Sequence, residues 1–284
     1  MINGKDGSNV KVPETVNEAD YLDAQFDTFH MKLNLGLLDS GVDLEEYIPE
    51  YIDRLNKSLK FIRNTLTKNS DHKGLAEETE KFVDVIMVSS DDYSWSDLGD
   101  RIELKIGDAY WHRGELYVLS LMNSSIVQWK QLGYAWYVDV CVNPYCEAAP
   151  KVFTQEYLEA LPYYDIYIRG GGTAEASTDN FKKLNDAVSY KCLTDGLYWG
   201  GAPCEDAPCR IEPLYNAPKK VKDPGDDMTV FMAISFIGYL SDKYGLDNVT
   251  AFCLNDMTFE KAFGSDYETE YDNWTEWILT TYGE

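Results

Sequence analysis

The sequence predicts an α+β fold, with a small mixed sheet and helices in its N-terminal half and an all-helical C-terminal half. Three observations predict it. β-Branched or alternating runs fall only before residue 122, helical spacing dominates from Asn123 onward, and a hydrophobic fraction of 44% in 284 residues is ample for a real core.

The elements follow in chain order. From Val16 to Leu35, Leu22, Phe26, Phe29 and Leu33 recur at helical spacing, and Leu44 to Leu66 repeats the pattern through Tyr47, Tyr51, Leu55, Leu59 and Ile62. Two opening helices are expected, the second starting or kinking at Pro49. The β-branched run Phe82 to Val88, the alternating Arg101 to Ile106, and Glu115 to Leu121 after the turn residues Arg113-Gly114 read as strands of one sheet. Asn123-Ser124 can cap a helix through Trp129, Leu132, Gly133, Trp136 and Val140. Thr154 can cap Gln155 to Leu161, and Asp179 to Cys192 is amphipathic. Gly200 to Pro224 is a loop rich in Pro, Cys and Lys. Three helices close the chain: Asp227 to Tyr244, stopped by Gly245, then Leu246 to Leu254, then about Tyr267 to Thr281. The expected organisation is a flexible tail or stalk over residues 1–15, an α/β subdomain over 16–143 and a helical subdomain over 144–284.

Charge narrows the partners. Forty-nine Asp and Glu against 25 Lys and Arg leave a formal charge of −24, which repels phosphate backbones and anionic lipid heads. Nucleic acid is therefore not an expected partner. No run of about 18 apolar residues is present to span a bilayer, so no membrane insertion is expected of this chain. The opening up to Pro13 has no apolar signal region; it also reads as the stalk left after a signal or lipoprotein anchor is removed, which would place the protein outside the cell or attached to the envelope.

Several chemistries lack their residues. Cys141/Cys146 and Cys204/Cys209 have four-residue gaps where zinc ribbons favour two, and small-loop disulfides and buried thiols both remain open for the six cysteines. Neither a Gly-x-Ser-x-Gly elbow nor a phosphate-binding Gly-x-x-x-x-Gly-Lys-Ser/Thr loop occurs. Ile166 to Thr173 resembles a strand followed by a glycine loop, but Glu175 stands where a dinucleotide fingerprint needs its third glycine, and a flexible connection is the expected reading. Asp91, Asp92, Asp97 and Asp100, or Asp223, Asp226 and Asp227, do not follow the calcium-loop spacing and read as solvated acidic loops. Aromatic pairs such as Tyr110-Trp111, Tyr163-Tyr164 and Tyr198-Trp199 suit either a groove for peptide or sugar or ordinary packing under loops.

Two segments carry a resemblance. Ser235-Phe236-Ile237-Gly238-Tyr239-Leu240 runs into Lys243-Tyr244-Gly245, and Phe259-Glu260-Lys261-Ala262-Phe263 follows; Trp129-Lys130-Gln131-Leu132-Gly133-Tyr134-Ala135-Trp136-Tyr137 is the second. The first resembles the tail of bacterial gluzincin-type domains, the thermolysin-like zincins. The second is similar to that family's Trp-Leu-x-Glu-Gly-x-Ala-x-Tyr helix, which carries the third zinc ligand.

The resemblance implies a zincin-like fold and also its loss of function. Leu132 stands where the glutamate ligand belongs, and leucine has no lone pair to give. His-Glu-x-x-His, which sets two imidazoles on one helix face, occurs nowhere. The three histidines are His30, His72 and His112; His112-Arg113-Gly114-Glu115-Leu116 is one substitution from the inverted His-x-x-Glu-His, but Gly114 breaks helices and His112 reads as a turn residue. The expectation is a non-catalytic metallopeptidase-like module with no metal and no cofactor, binding an extended peptide or glycan or acting structurally. Trp129, Gly133, Trp136, Tyr137, His112 and Glu115 are the candidate cleft residues, with Leu132 at the degenerate ligand position. The alternative is a hydrolase with a rebuilt site.

Overall fold

A computed structural model describes residues 2–3, 9–10, 21–25, 29–34, 44–80, 82–88, 93–107, 118, 121–122, 128–142, 153–195, 227–255 and 257–283. The chain is mixed α+β and divides into two units, Met1–Leu121 and Met122–Glu284. The division falls ahead of the boundary expected after residue 143, so the helix carrying Leu132 belongs with the helical unit.

The first unit holds a short ladder, β1 (Ile2–Asn3) with β2 (Asn9–Val10), and a five-stranded sheet. The sheet comprises β3 (Tyr21–Gln25), β4 (Phe29–Asn34), β5 (Phe82–Val88), β6 (Tyr93–Asp97) and β7 (Arg101–Gly107) in the order β3-β4-β5-β7-β6. β4, β5 and β7 run parallel, while β3 and β6 run antiparallel at the two edges. Alternation sorts the faces: Val83, Val85, Ile102, Leu104 and Ile106 are buried, whereas Arg101 and Lys105 on the other face are exposed.

β3 and β4 correct the first expectation, because a helix was anticipated from Val16 to Leu35. Leu22, Phe26, Phe29 and Leu33 do fit a helical row, yet Phe29-His30-Met31-Lys32-Leu33-Asn34 also alternates strictly. Pairing with β5 from Phe29↔Val83 to Lys32↔Ile86 decides for the strand, since period two is the one that shares a buried face with a neighbour. The parallel step from β4 to β5 needs a crossover, and α1 (Leu44–Leu66) lies in it, with Leu59, Ile62 and Leu66 at 1%, 0% and 0% exposure. The helix begins five residues before Pro49 and runs through it. Arg63 donates to Thr79 O at 2.8 Å and ties α1 to the end of α2 (Lys73–Glu78). Within the strand expected from Glu115 to Leu121, Val118 is helical and Leu121 N donates to Val118 O at 3.2 Å, closing a turn; the others lie outside the described residues.

The second unit is built of helices: α3 (Gln128–Val142), α4 (Gln155–Glu159), α5 (Tyr164–Arg169), α6 (Thr178–Asp195), α7 (Asp227–Tyr244), α8 (Leu246–Leu254), α9 (Phe259–Phe263) and α10 (Tyr267–Tyr282). α7 is central and packs on α3, α6 and α8. Its Met232 to Ile237 are all buried, as an all-round apolar helix must be. Thr154, Thr258 and Asp266 cap α4, α9 and α10 through their side-chain oxygens. Gly245, at φ 89°, makes the turn between α7 and α8 that a side chain would strain. Tyr164–Arg169 is helical where a flexible connection was expected: Ile166 and Tyr167 are adjacent and both buried, which fixes the segment in the core and which an alternating strand with one solvent face does not allow either. Among the described residues no helix is long and apolar enough to cross a membrane.

Candidate functional site

α3 carries the segment on which the family resemblance rests, and nearly all of its surface is occupied. Gly133 lies against α7 so closely that an added Cβ would stand 2.6 Å from the Ala233 methyl. Tyr134 donates to Thr250 Oγ1 at 2.9 Å, and burial pushes its hydroxyl well above the ordinary tyrosine range. Lys130, only 4% exposed, donates to Asn255 O at 2.8 Å with its ammonium 3.8 Å from the Phe252 ring centroid. Trp129 is buried among Phe236, Phe252, Phe259 and Tyr267, with ring centroids 5.6 to 6.5 Å away. Tyr137 is buried, while Leu132 and Trp136 are half-buried. α3 thus brings Trp129, Leu132, Gly133, Trp136 and Tyr137 together on one helix held by α7 and α8. His112 and Glu115 lie outside the described residues.

Beside Tyr137 runs a polar seam that the sequence did not disclose. Lys182 of α6 lies 5.1 Å from the Tyr137 ring centroid, near Cys141 and Asp242. One turn further along α6, Asp186 is buried: its Oδ1 accepts from Ser235 at 2.5 Å and its Oδ2 from Tyr282 at 3.1 Å. Trp274 Nε1 in turn donates to Ser235 Oγ at 3.1 Å, which leaves the Ser235 proton for the carboxylate. Burial, opposed by these two hydrogen bonds and by Lys182, pushes Asp186 up to about 7. A serine beside a carboxylate suggests a nucleophile and its base, but Ser235 and Trp274 are 3% and 0% exposed, so no substrate carbonyl reaches the hydroxyl. The seam fastens α6, α7 and α10 together. Asp186 stands at four-residue spacing from Lys182 and Tyr190, a row that reads as solvated, and its partners lie 49 and 96 residues away. No local signal marks it.

In the first unit, three adjacent strands form a second polar cluster. Asp84, on central β5, meets His30 Nδ1 of β4 at 3.2 Å and also the Arg101 guanidinium of β7. The pleat sets Asp84 on the charged face while Val83 and Val85 anchor the strand in the core, so the carboxylate orients the imidazole from a rigid base.

Cys141, Cys192 and Cys253 stand as thiols, the last pushed up by burial to about 12, while Cys146, Cys204 and Cys209 lie outside the described residues. Asp97, read as part of an acidic loop, accepts from Gly99 N at 2.9 Å and shapes the β6–β7 turn; Asp91, Asp92, Asp223 and Asp226 are outside the described residues. Among the described residues no three His, Cys, Asp or Glu side chains converge as a metal site would require. Comparison with family models, with curated proteins and with solved structures gives no match.

Proposed function

We propose that the chain is a zincin-like scaffold of the gluzincin type that has lost its metal and works as a non-catalytic module of an exported or envelope protein, binding an extended peptide or a glycan or bracing a larger assembly. One observation carries the reading: the helix similar to the family's third-ligand helix has Leu132 at the ligand position, and its flanks are committed to packing through Gly133 on Ala233 and Tyr134 on Thr250. The order of elements supports it, with a mixed sheet ahead of α3 and, among the described residues, only helices after it. Elemental analysis of the dialysed full chain tests it. No stoichiometric zinc and no chelator-sensitive cleavage of an unstructured protein are expected; near one zinc per chain with such cleavage overturns the proposal.

The rebuilt-site hydrolase keeps one specific observation in its favour. A carboxylate-oriented imidazole, His30 with Asp84, is the base half of many hydrolytic sites. Hydrolysis abolished by His30→Gln, with the fold intact by circular dichroism, would select that reading instead.

A further inference from the structure

A buried acid on α6 takes part in docking α10. Asp186 of α6 takes a hydrogen bond from α7, through Ser235, and another from α10, through Tyr282, whose own carbonyl accepts from Arg169 at 2.7 Å. The Tyr282 ring lies over Gly170, where an added Cβ would stand 2.0 Å from it, so this last tyrosine of the helix is seated in a slot shaped for it. Both donors to the carboxyl group are neutral hydroxyls. The charged groups around it are Lys182 on its own helix, whose ammonium is engaged with Tyr137 of α3, and Asp242 on α7, which opposes ionisation; Asp179 acts on Tyr282. From α10, Tyr282 and Trp274 reach the network.

We propose that Asp186 is a proton-operated latch: with its carboxyl group neutral α10 is held tightest on α6 and α7, and loss of that proton in the closed state loosens the docking. An ionised Asp186 keeps both hydrogen bonds but has exchanged water for two hydroxyls, so opening, which rehydrates it, becomes easier. The sign follows from linkage. The folded value of about 7 lies above the ordinary 3.8, so the closed state binds the proton more tightly, and docking weakens as pH rises from about 4 to about 7 and levels off beyond. The span of about three units corresponds to a weakening of up to about a thousand-fold if opening fully rehydrates the carboxylate.

The composition of the unit makes the test clean. All three histidines precede Met122, so between pH 5 and 8 no imidazole titrates in the helical unit. Glu270, a buried acid on α10 itself, acts in the opposite sense and below that window. The experiment is amide hydrogen exchange of residues 267–282 in the full chain, corrected for intrinsic rate and referred to α8, from pH 5 to 8. Protection of α10 relative to α8 is expected to fall at least ten-fold across this range, and to lose its pH dependence in Asp186→Asn. Unchanged protection in the parent chain, or a retained slope in the variant, overturns the proposal. Should Asp186→Asn not fold, difference infrared spectroscopy of the parent chain decides: a protonated-carboxyl band present at pH 5 and lost by pH 8 supports the latch, and its absence at pH 5 overturns it.

Discussion

Gly133 and Ala233 bring α3 and α7 nearer than any larger pair allows, with 2.6 Å left for a Cβ on Gly133 and the Ala233 carbonyl carbon 3.1 Å away. Gly133→Ala should therefore destabilise the chain by about 1–3 kcal/mol, even though alanine gains up to about 1 kcal/mol of helix propensity. Pairing it with Ala233→Gly should recover part of the loss. Urea midpoints of the two single variants and the double variant form the cycle, and strict additivity would show that the contact is not the cause.

Trp274 is fully buried and packs with tilted rings against Phe236 and Tyr271, with centroids 5.5 and 5.3 Å away. Trp274→Ala should cost about 3–5 kcal/mol in denaturant unfolding. Trp274→Phe, which keeps much of the volume but withdraws the donor to Ser235, should cost less. A loss under about 1 kcal/mol for the alanine variant would be incompatible with this burial.

Glu270 is 2% exposed and accepts from Lys243 and Tyr244, each at 2.7 Å. Burial works to raise it, but the hydrogen bonds and the Lys243 charge outweigh burial and hold it below the usual glutamate value of 4.5. A depressed acid stabilises the fold above its unfolded value and loses that contribution as pH falls through the folded value. The acid limb of the stability curve below pH 4.5 should thus become shallower in Glu270→Gln, and stability at pH 7 should drop. Parallel acid limbs in the two proteins would refute the assignment.

Asp84 joins β4, β5 and β7 through His30 and Arg101 with a side chain 13% exposed. Asp84→Asn should lose about 1–2 kcal/mol, because Arg101 keeps half its exposure and recovers part of its solvation. Thermal unfolding at low and high salt checks it, and the difference between the two proteins should narrow as salt rises.

The helical half was legible because its boundaries are written in short-range chemistry. Thr154 caps a helix that starts one residue later, Gly245 ends α7 at φ 89°, and Leu246–Leu254 is a helix over the span its apolar spacing predicts, whereas the short α9 that Thr258 caps was not among the three helices expected to close the chain. In the core of that half Ile234, Phe236, Ile237, Leu240, Phe259 and Trp274 are buried, while Phe231, Phe263 and Trp277 are half-buried. The hairpin of β3 and β4 was not legible, since two periodicities coexist in it and the strand that chooses between them arrives about fifty residues later. The same distance hides the polar clusters. Asp84 and Asp186 take their meaning from partners on other elements, which no local pattern reveals.

The parallel pairing of β4 with β5 also sets an order of assembly. Phe29 and Val83 meet across 54 residues, whereas β6 and β7 are joined by a short turn and β5 reaches β7 from Phe82 to Arg101, across 19. Closing the longer loop costs more chain entropy, so β5, β6 and β7 form the nucleus onto which β4 and its partner β3 add late. During synthesis the N-terminal hairpin must therefore wait, unpaired on one side, until the ribosome has delivered the centre of its own sheet.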